Sequence, residues 1–390
     1  MAVSDHVPFI DLGPWVEKVQ GAERVADNTL LLRAPPFEAD VAQLLASREF
    51  LGGGSTTQRL ETALSDKLGV PNVVTCANGT DALMLALRAG GIDHGHRVAI
   101  PNLTFWATYE AVVNVGATPV LLDIDPDDRQ LSFEEFKRAH DSRRFDAAIL
   151  VHLYGWCSSR LVEFRSFCRE RRITLIEDGA QAFGVQIDGA SVFADADVAT
   201  LSFHPAKVLG GIGDGGAVLC KTARVAQRVR ALANHGRAGA QHEHVAAGWN
   251  SRLDAIQAAW LLRALDVIDE VIEARRVLWS IYEQALEQVA PNRLHADTGP
   301  HDEIQDNGYM TVLQTDTSAA DIVKRLDAQG IEARRIYPKT IAEQAHGAIE
   351  FGSLVHSRQL VQNVVSLPLY YGMSGGVVTR VVKAYAEAVR

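Results

Sequence analysis

From residue 72 to residue 220 the chain alternates between two kinds of stretch, and this alternation constrains the fold more than any other feature. Short apolar runs rich in β-branched residues occupy 72–76, 97–100, 118–123, 146–152, 173–177, 197–203 and 216–220. Apolar residues at helical spacing fill about 79–89, 104–115, 132–140 and 159–170 between the early runs. Runs that are apolar throughout and separated by helices predict a mostly parallel sheet covered on both faces. The seven runs predict a doubly wound, seven-stranded α/β domain over 51–247.

The flanks read differently. Residues 1–50 form a leader with strand-like Thr29 to Leu32, a Pro35-Pro36 break and a short helix over 39–50. Glycine-rich 52–56 is a loop, and Leu60, Ala63, Leu64 and Leu68 give a helix over Thr57 to Leu68. A long helical region starts near Arg252 and runs through Trp260, Ile268, Ile272, Ile281 and Leu286, long enough to bridge two domains. Strand-like Tyr309 to Leu313, a helix over 318–329, strand-like Ile331 to Ile336 and a closing helix over 377–389 make a smaller α+β unit. The expected third part is therefore 248–390, bridging helix included.

A net charge of -10 with no basic block argues against nucleic acid and anionic membranes as partners. No apolar run reaches the roughly 18–20 residues that span a bilayer. The N-terminal residues lack a basic flank followed by an apolar core, so the reading expects no signal peptide. The four cysteines, Cys76, Cys157, Cys168 and Cys220, form neither a disulfide framework nor a metal signature, which fits a reducing cytoplasm. His94/His96 and His242/His244 each lack a third ligand nearby, and no metal is expected.

Ligands of an open α/β sheet lie beyond the carboxyl ends of its parallel strands. The first run ends in Asn78-Gly79-Thr80 and a helix follows directly. Free N–H groups and a hydroxyl there suit a phosphate, although a simple N-cap has the same letters. The second run leads to Phe105-Trp106, able to stack on a planar ring or to serve as core. The fifth delivers Asp178, with Gln181 close behind; a buried carboxylate there needs a partner. The sixth delivers Ser202, His204 and then Lys207, on a His-Pro turn followed by Gly210, Gly211, Gly213, Gly215 and Gly216. A partly desolvated lysine favours the nucleophilic amine that a Schiff base requires. An exposed lysine on a glycine-rich hairpin would read the same. One ligand accounts for all these features together. It has a phosphate, a flat ring with a basic nitrogen and an aldehyde: pyridoxal 5'-phosphate.

The motifs NGTDAL (78–83), PNLTFWAT (101–108), HLYG (152–155), EDGAQAFG (177–184), SFHPAKVLGGIGDGGAV (202–218) and GWNSRLDAIQAA (248–259) resemble the DegT/StrS family of sugar aminotransferases, of the fold-type I pyridoxal phosphate enzymes. IYP (336–338) and SLPLY (366–370) are weaker matches. The resemblance implies that Lys207 forms the internal aldimine and acts as acid and base, and that Asp178 holds the pyridinium nitrogen. Gln181 is placed near the ring hydroxyl, Phe105 on the ring with Trp106 as the other candidate, and Gly79, Thr80 and Ser202 on the phosphate. Asn250 is implied to reach the phosphate of a neighbouring subunit, giving a homodimer with shared active sites. Arg252, Tyr337 and His204 are expected near the substrate. The chain departs from the family at Trp156-Cys157, where a polar residue often follows HLYG, and at Gly179, where Ala is common.

The implied reaction is aminotransfer. An amino acid, glutamate by expectation, charges the cofactor to pyridoxamine phosphate, which then aminates a keto sugar linked to a nucleotide diphosphate. The form of NSRLD, HLYG and GDGG is more similar to members acting on 3-keto sugars than on 4-keto sugars, with cyclitol ketones a further class. The alternatives are a pyridoxal phosphate sugar dehydratase or lyase, and a catalytically idle regulatory protein. Members that remove a hydroxyl carry histidine in place of the lysine; this chain keeps Lys207, and His204 lies elsewhere on the turn. The missing GxGxxG after the first run argues against a dinucleotide enzyme.

Overall fold

The computed structural model describes residues 6–24, 30–32, 35–238, 243–287 and 304–390. Thr29 and His242, both named above, lie outside the described residues.

The seven expected runs form strands β1 (Asn72–Cys76), β2 (Arg97–Pro101), β3 (Thr118–Leu122), β4 (Ala147–Val151), β5 (Thr174–Asp178), β6 (Val198–Ser202) and β7 (Gly216–Cys220). An eighth, β8 (Ile349–Glu350), corrects the expected seven-stranded sheet: it pairs in parallel with β3 at one edge. Spatial order is β8-β3-β2-β4-β5-β6-β7-β1. Strand β7 runs antiparallel to both neighbours, and the other pairings are parallel. Two residues of β8 are too few to show any alternation in the sequence.

Alternate strand residues face opposite sides of the sheet. Ala99, Leu150, Leu175 and Leu201 join one buried cluster, while Val98, Ile149, Ile176 and Val218 join another. Both faces are therefore covered, which is why the strands read as continuous apolar runs. Helix α1 (Gly79–Ala89) starts where Asn78 caps it, its side chain accepting from the Asp81 N–H. Helix α2 (Trp106–Asn114) follows β2. Helix α3 (Ala255–Leu286) contributes Trp260, Leu261 and Ile268 to the first cluster. Its later residues Leu278, Trp279 and Tyr282 join a third cluster with Leu313, Leu367 and Tyr385. It thus spans two packed regions, as its length suggests.

Three sequence expectations change. The leader holds a helix that no periodicity announced: Gly13–Val19 is helical and Trp15 is buried in the first cluster. Residues 331–336 form no strand. Their backbone groups alternate between two neighbours, Ile331 bridging Val7 and Arg334 bridging Ser366. Strand Thr311–Gln314 pairs instead with Val364–Leu367. The helices at 223–233 and 355–363 are additions to the expected set. All four cysteines are free and buried. Among the described residues no helix is long and apolar enough to cross a membrane.

Candidate active site

Register brings the site together. Ser202 at the end of β6 pairs with Gly216, and Gly216 pairs with Cys76 at the end of β1. A Cβ on Gly216 would lie 2.4 Å from the Asn78 carbonyl oxygen, and one on Gly79 would lie 2.8 Å from the Ser202 Cβ. Only glycine lets the start of α1 sit this close to the ends of β6 and β7. The crowding that these glycines relieve is within one chain.

A cavity of about 650 Å³ opens there, in the size range of small-molecule sites. Gly79, Thr80, Phe105, Asp178, Gln181, Ser202, His204, Lys207 and Tyr337 all line it. Trp106 does not, and stacks 4.5 Å from Tyr109, which favours Phe105 as the ring-facing aromatic. Phe105 is 56% exposed, held at the head of α2 and 6.0 Å from the Tyr337 ring.

Asp178 sits at the end of β5, 6% exposed. It accepts from the Ala180 N–H at 3.1 Å and the Thr108 hydroxyl at 3.2 Å. Burial pushes its carboxyl above the ordinary range; the Ala180 amide, the charge of Lys207 and Thr108 pull the other way. Behind it, Glu177 is held by Arg165 through two bonds of 2.8 Å and by His152 Nε2 at 3.0 Å. Gln181 is fixed at both ends. Its Oε1 accepts from the Tyr154 N–H at 2.7 Å and its Nε2 donates to the Tyr337 hydroxyl at 2.9 Å.

Lys207 lies on a turn whose backbone is closed by hydrogen bonds. The Lys207 N–H donates to His204 O, Gly211 N–H to Phe203 O and Phe203 N–H to Gly215 O. Two indoles, Trp15 and Trp260, donate to the Gly210 carbonyl at 3.3 and 3.0 Å. His204 is exposed at the rim, its Nδ1 accepting from the Ala206 N–H at 3.2 Å. Tyr309 approaches the lysine from the other side, its hydroxyl 3.5 Å from Nζ. Sequence reasoning missed Tyr309: it opens a strand-like run and belongs to no quoted motif.

Asn250 and Arg252 do not join them. Neither lines the cavity; Arg252 donates to Asn250 Oδ1 at 2.9 Å, and Asn250 is exposed. Segment 249–252 lies instead at the end of β1, where Ser251 Oγ accepts from the Ala77 N–H at 3.2 Å and Asn250 bridges Asn234. Lys207 is the single Lys or Arg among the described residues lining the cavity, against Asp81, Glu110, Asp178 and Asp214.

The chain belongs to the DegT/DnrJ/EryC1/StrS aminotransferase family, whose model matches residues 34–386. It is 33% identical over 335 residues to a UDP-2-acetamido-2-deoxy-3-oxo-D-glucuronate aminotransferase of Pseudomonas aeruginosa, covering 86% of this chain and 90% of the relative. It is 31% identical over 389 residues to a dTDP-3-amino-3,4,6-trideoxy-alpha-D-glucose transaminase of Streptomyces venezuelae, covering 99% and 97%. Among solved structures, Streptomyces venezuelae DesV in complex with a ketimine intermediate superposes with a TM-score of 0.86 at 30% identity, over 99% of both chains. The protein is a pyridoxal phosphate-dependent aminotransferase of this family.

The residues present fit that cofactor. A buried carboxylate with a raised pKa and only two donors is a site for a cation, and a protonated ring nitrogen is one. The head of α1 offers free N–H groups to a phosphate beside Thr80 and Ser202.

Proposed function

We propose that the protein transfers an amino group from glutamate to a 3-keto deoxyhexose linked to a nucleotide diphosphate. The observation that carries this reading is the convergence of Lys207, Asp178 and the head of α1 on one cavity with room beyond them. The two relatives described above are named for amino transfer at C3 of nucleotide-linked sugars, which supports the substrate class.

Pyridoxal phosphate supplies an aldehyde that joins amines covalently and a ring that accepts electron density when its nitrogen is protonated. Asp178 would hold the proton on that nitrogen and would find there the opposite charge that its burial calls for. Lys207 Nζ takes up the proton that leaves the donor's Cα and returns one to the product side. Gly79, Thr80 and Ser202 hold the phosphate at the head of α1. Phe105 would cover the ring, Gln181 would sit at its hydroxyl, and Tyr337 and His204 would face the substrate.

The shortage of cations bears on the oligomer. A diphosphate brought among four carboxylates needs opposite charge. Asn250 and Arg252, which do not line their own cavity, would supply contacts to the neighbour's in a homodimer with shared sites. The absence of any disulfide among the described residues supports a cytoplasmic location.

The test is a pair of half-reactions. Glutamate added to cofactor-loaded protein converts the pyridoxal to the pyridoxamine form with release of 2-oxoglutarate. A dTDP- or UDP-linked 3-keto sugar then restores the pyridoxal form and gains an amino group by mass. If glutamate causes no conversion while the sugar loses water, the dehydratase reading replaces this one.

A further inference from the structure

Tyr309 is the aromatic side chain that meets the Lys207 amine. Its hydroxyl lies 3.5 Å from Nζ, and Nζ lies 5.4 Å from the centre of its ring. Such a contact is long for a hydrogen bond. Bonds of this kind in ligand-free sites tighten when the site fills. Tyr309 also lines two cavities that reach the lysine: the large one described above, and a small one of about 40 Å³ beside Trp15 and Arg275.

The support beneath Tyr309 is costly. Buried Asn307 accepts from the Tyr309 N–H at 2.9 Å and donates to the carbonyls of Gln181 and Phe183, each at 2.9 Å. Arg275 donates through Nε to Gly308 O at 3.0 Å, and through Nη2 to Tyr309 O at 2.9 Å and Leu369 O at 3.3 Å. Among the described residues no carboxylate pairs with Arg275, and burial pulls its guanidinium down to about 10. A guanidinium taken from water and given only backbone carbonyls is expensive to keep. The turn is packed on its other side too: a Cβ on Gly155 would lie 2.4 Å from Asn307 Oδ1. Asn307 thus ties Tyr309 to the loop carrying Gln181, and Arg275 ties it to the long helix. Three elements from distant parts of the chain fix one hydroxyl beside the reacting amine.

We propose that Tyr309 is a positioning residue for the aminotransfer, its hydroxyl holding the Lys207 amine at the cavity face when the amine is free. The inference rests on the function proposed above. The amine so held cannot swing into the small cavity, and it stays within reach of the donor's Cα. A neutral amine whose lone pair accepts from the Tyr309 O–H is also a weaker nucleophile toward outside reagents. Loss of the hydroxyl therefore has opposite effects on chemical labelling and on catalysis.

The test compares wild type with Tyr309→Phe, which removes one oxygen and leaves the ring. In cofactor-free protein, Lys207 is methylated with formaldehyde and cyanoborohydride and quantified by mass spectrometry, with the other lysines as a check on folding. Labelling of Lys207 is expected to rise about fivefold, the factor that one hydrogen bond of about 1 kcal/mol supplies. In the loaded enzyme kcat is expected to fall about 10- to 100-fold, with KM for the sugar changed less than about twofold. Unchanged Lys207 labelling, unchanged kcat, or a loss carried by KM alone would each overturn the proposal. If wild type transfers no amine at all, the proposed function fails by itself, and the labelling contrast still decides whether the hydroxyl holds the amine.

Discussion

The turn around Lys207 and the segment around Asn250 are assigned to one kind of site by the same family resemblance, yet they are built in opposite ways. The turn is rich in glycine and closed. Its carbonyls and amides are spent within the chain, two indoles converge on Gly210, and the Gln257 side chain accepts from the Ile212 N–H at 3.1 Å. In the other segment Ser251 and Leu253 are buried, but Asn250 is exposed, and its side chain meets Arg252 rather than the cavity. The difference teaches where preorganisation is required. The amine that reacts is held before any ligand arrives. On the proposed reading, the contacts of Asn250 to a neighbour's phosphate form only on assembly.

Lys207→Ala removes the reacting amine, and turnover is expected to fall by about four orders of magnitude, with folding retained, as followed by product formation and thermal melting. Asp178→Asn keeps the shape but cannot hold the ring proton. The glutamate half-reaction is expected to slow about 10²- to 10³-fold in stopped-flow spectra. Gly216→Ala puts a methyl on the Asn78 carbonyl, and calorimetry is expected to show a loss of about 1–3 kcal/mol. A melting temperature equal to that of wild type would show that the turn is looser than described. Asn250→Ala is expected to leave stability within about 0.5 kcal/mol of wild type. Cofactor affinity in the dimer should weaken about tenfold, the loss of one hydrogen bond to a charged group. Mixed dimers of Asn250→Ala with Lys207→Ala should regain activity, since one of their two sites is then intact. No regain would return Asn250 to its own protomer.

Most of the fold was legible because burial on both faces leaves a plain record. Strands at 72–76 and 216–220 and the helix at 79–89 fall on the residues expected from their apolar runs. Asp178 and Lys207 were legible because strand ends are where an α/β sheet places its ligands. What was not legible depends on tertiary pairing. Trp15 lies in a segment with no periodicity, and its role appears only when its indole meets Gly210. Gly210 and Gly216 pass close to the chain's own Pro205 and Asn78 carbonyls, a crowding that no run of letters shows. Tyr309 stands 102 residues from Lys207, and no spacing rule connects the two.

The central claim is that Lys207 is the amine on which this site works. The most direct measurement is borohydride reduction of the pyridoxal phosphate-loaded protein, digestion, and mass spectrometry of the labelled peptide. The account predicts one pyridoxyl group per chain, on Lys207. A label on another lysine, or none after loading, would contradict it.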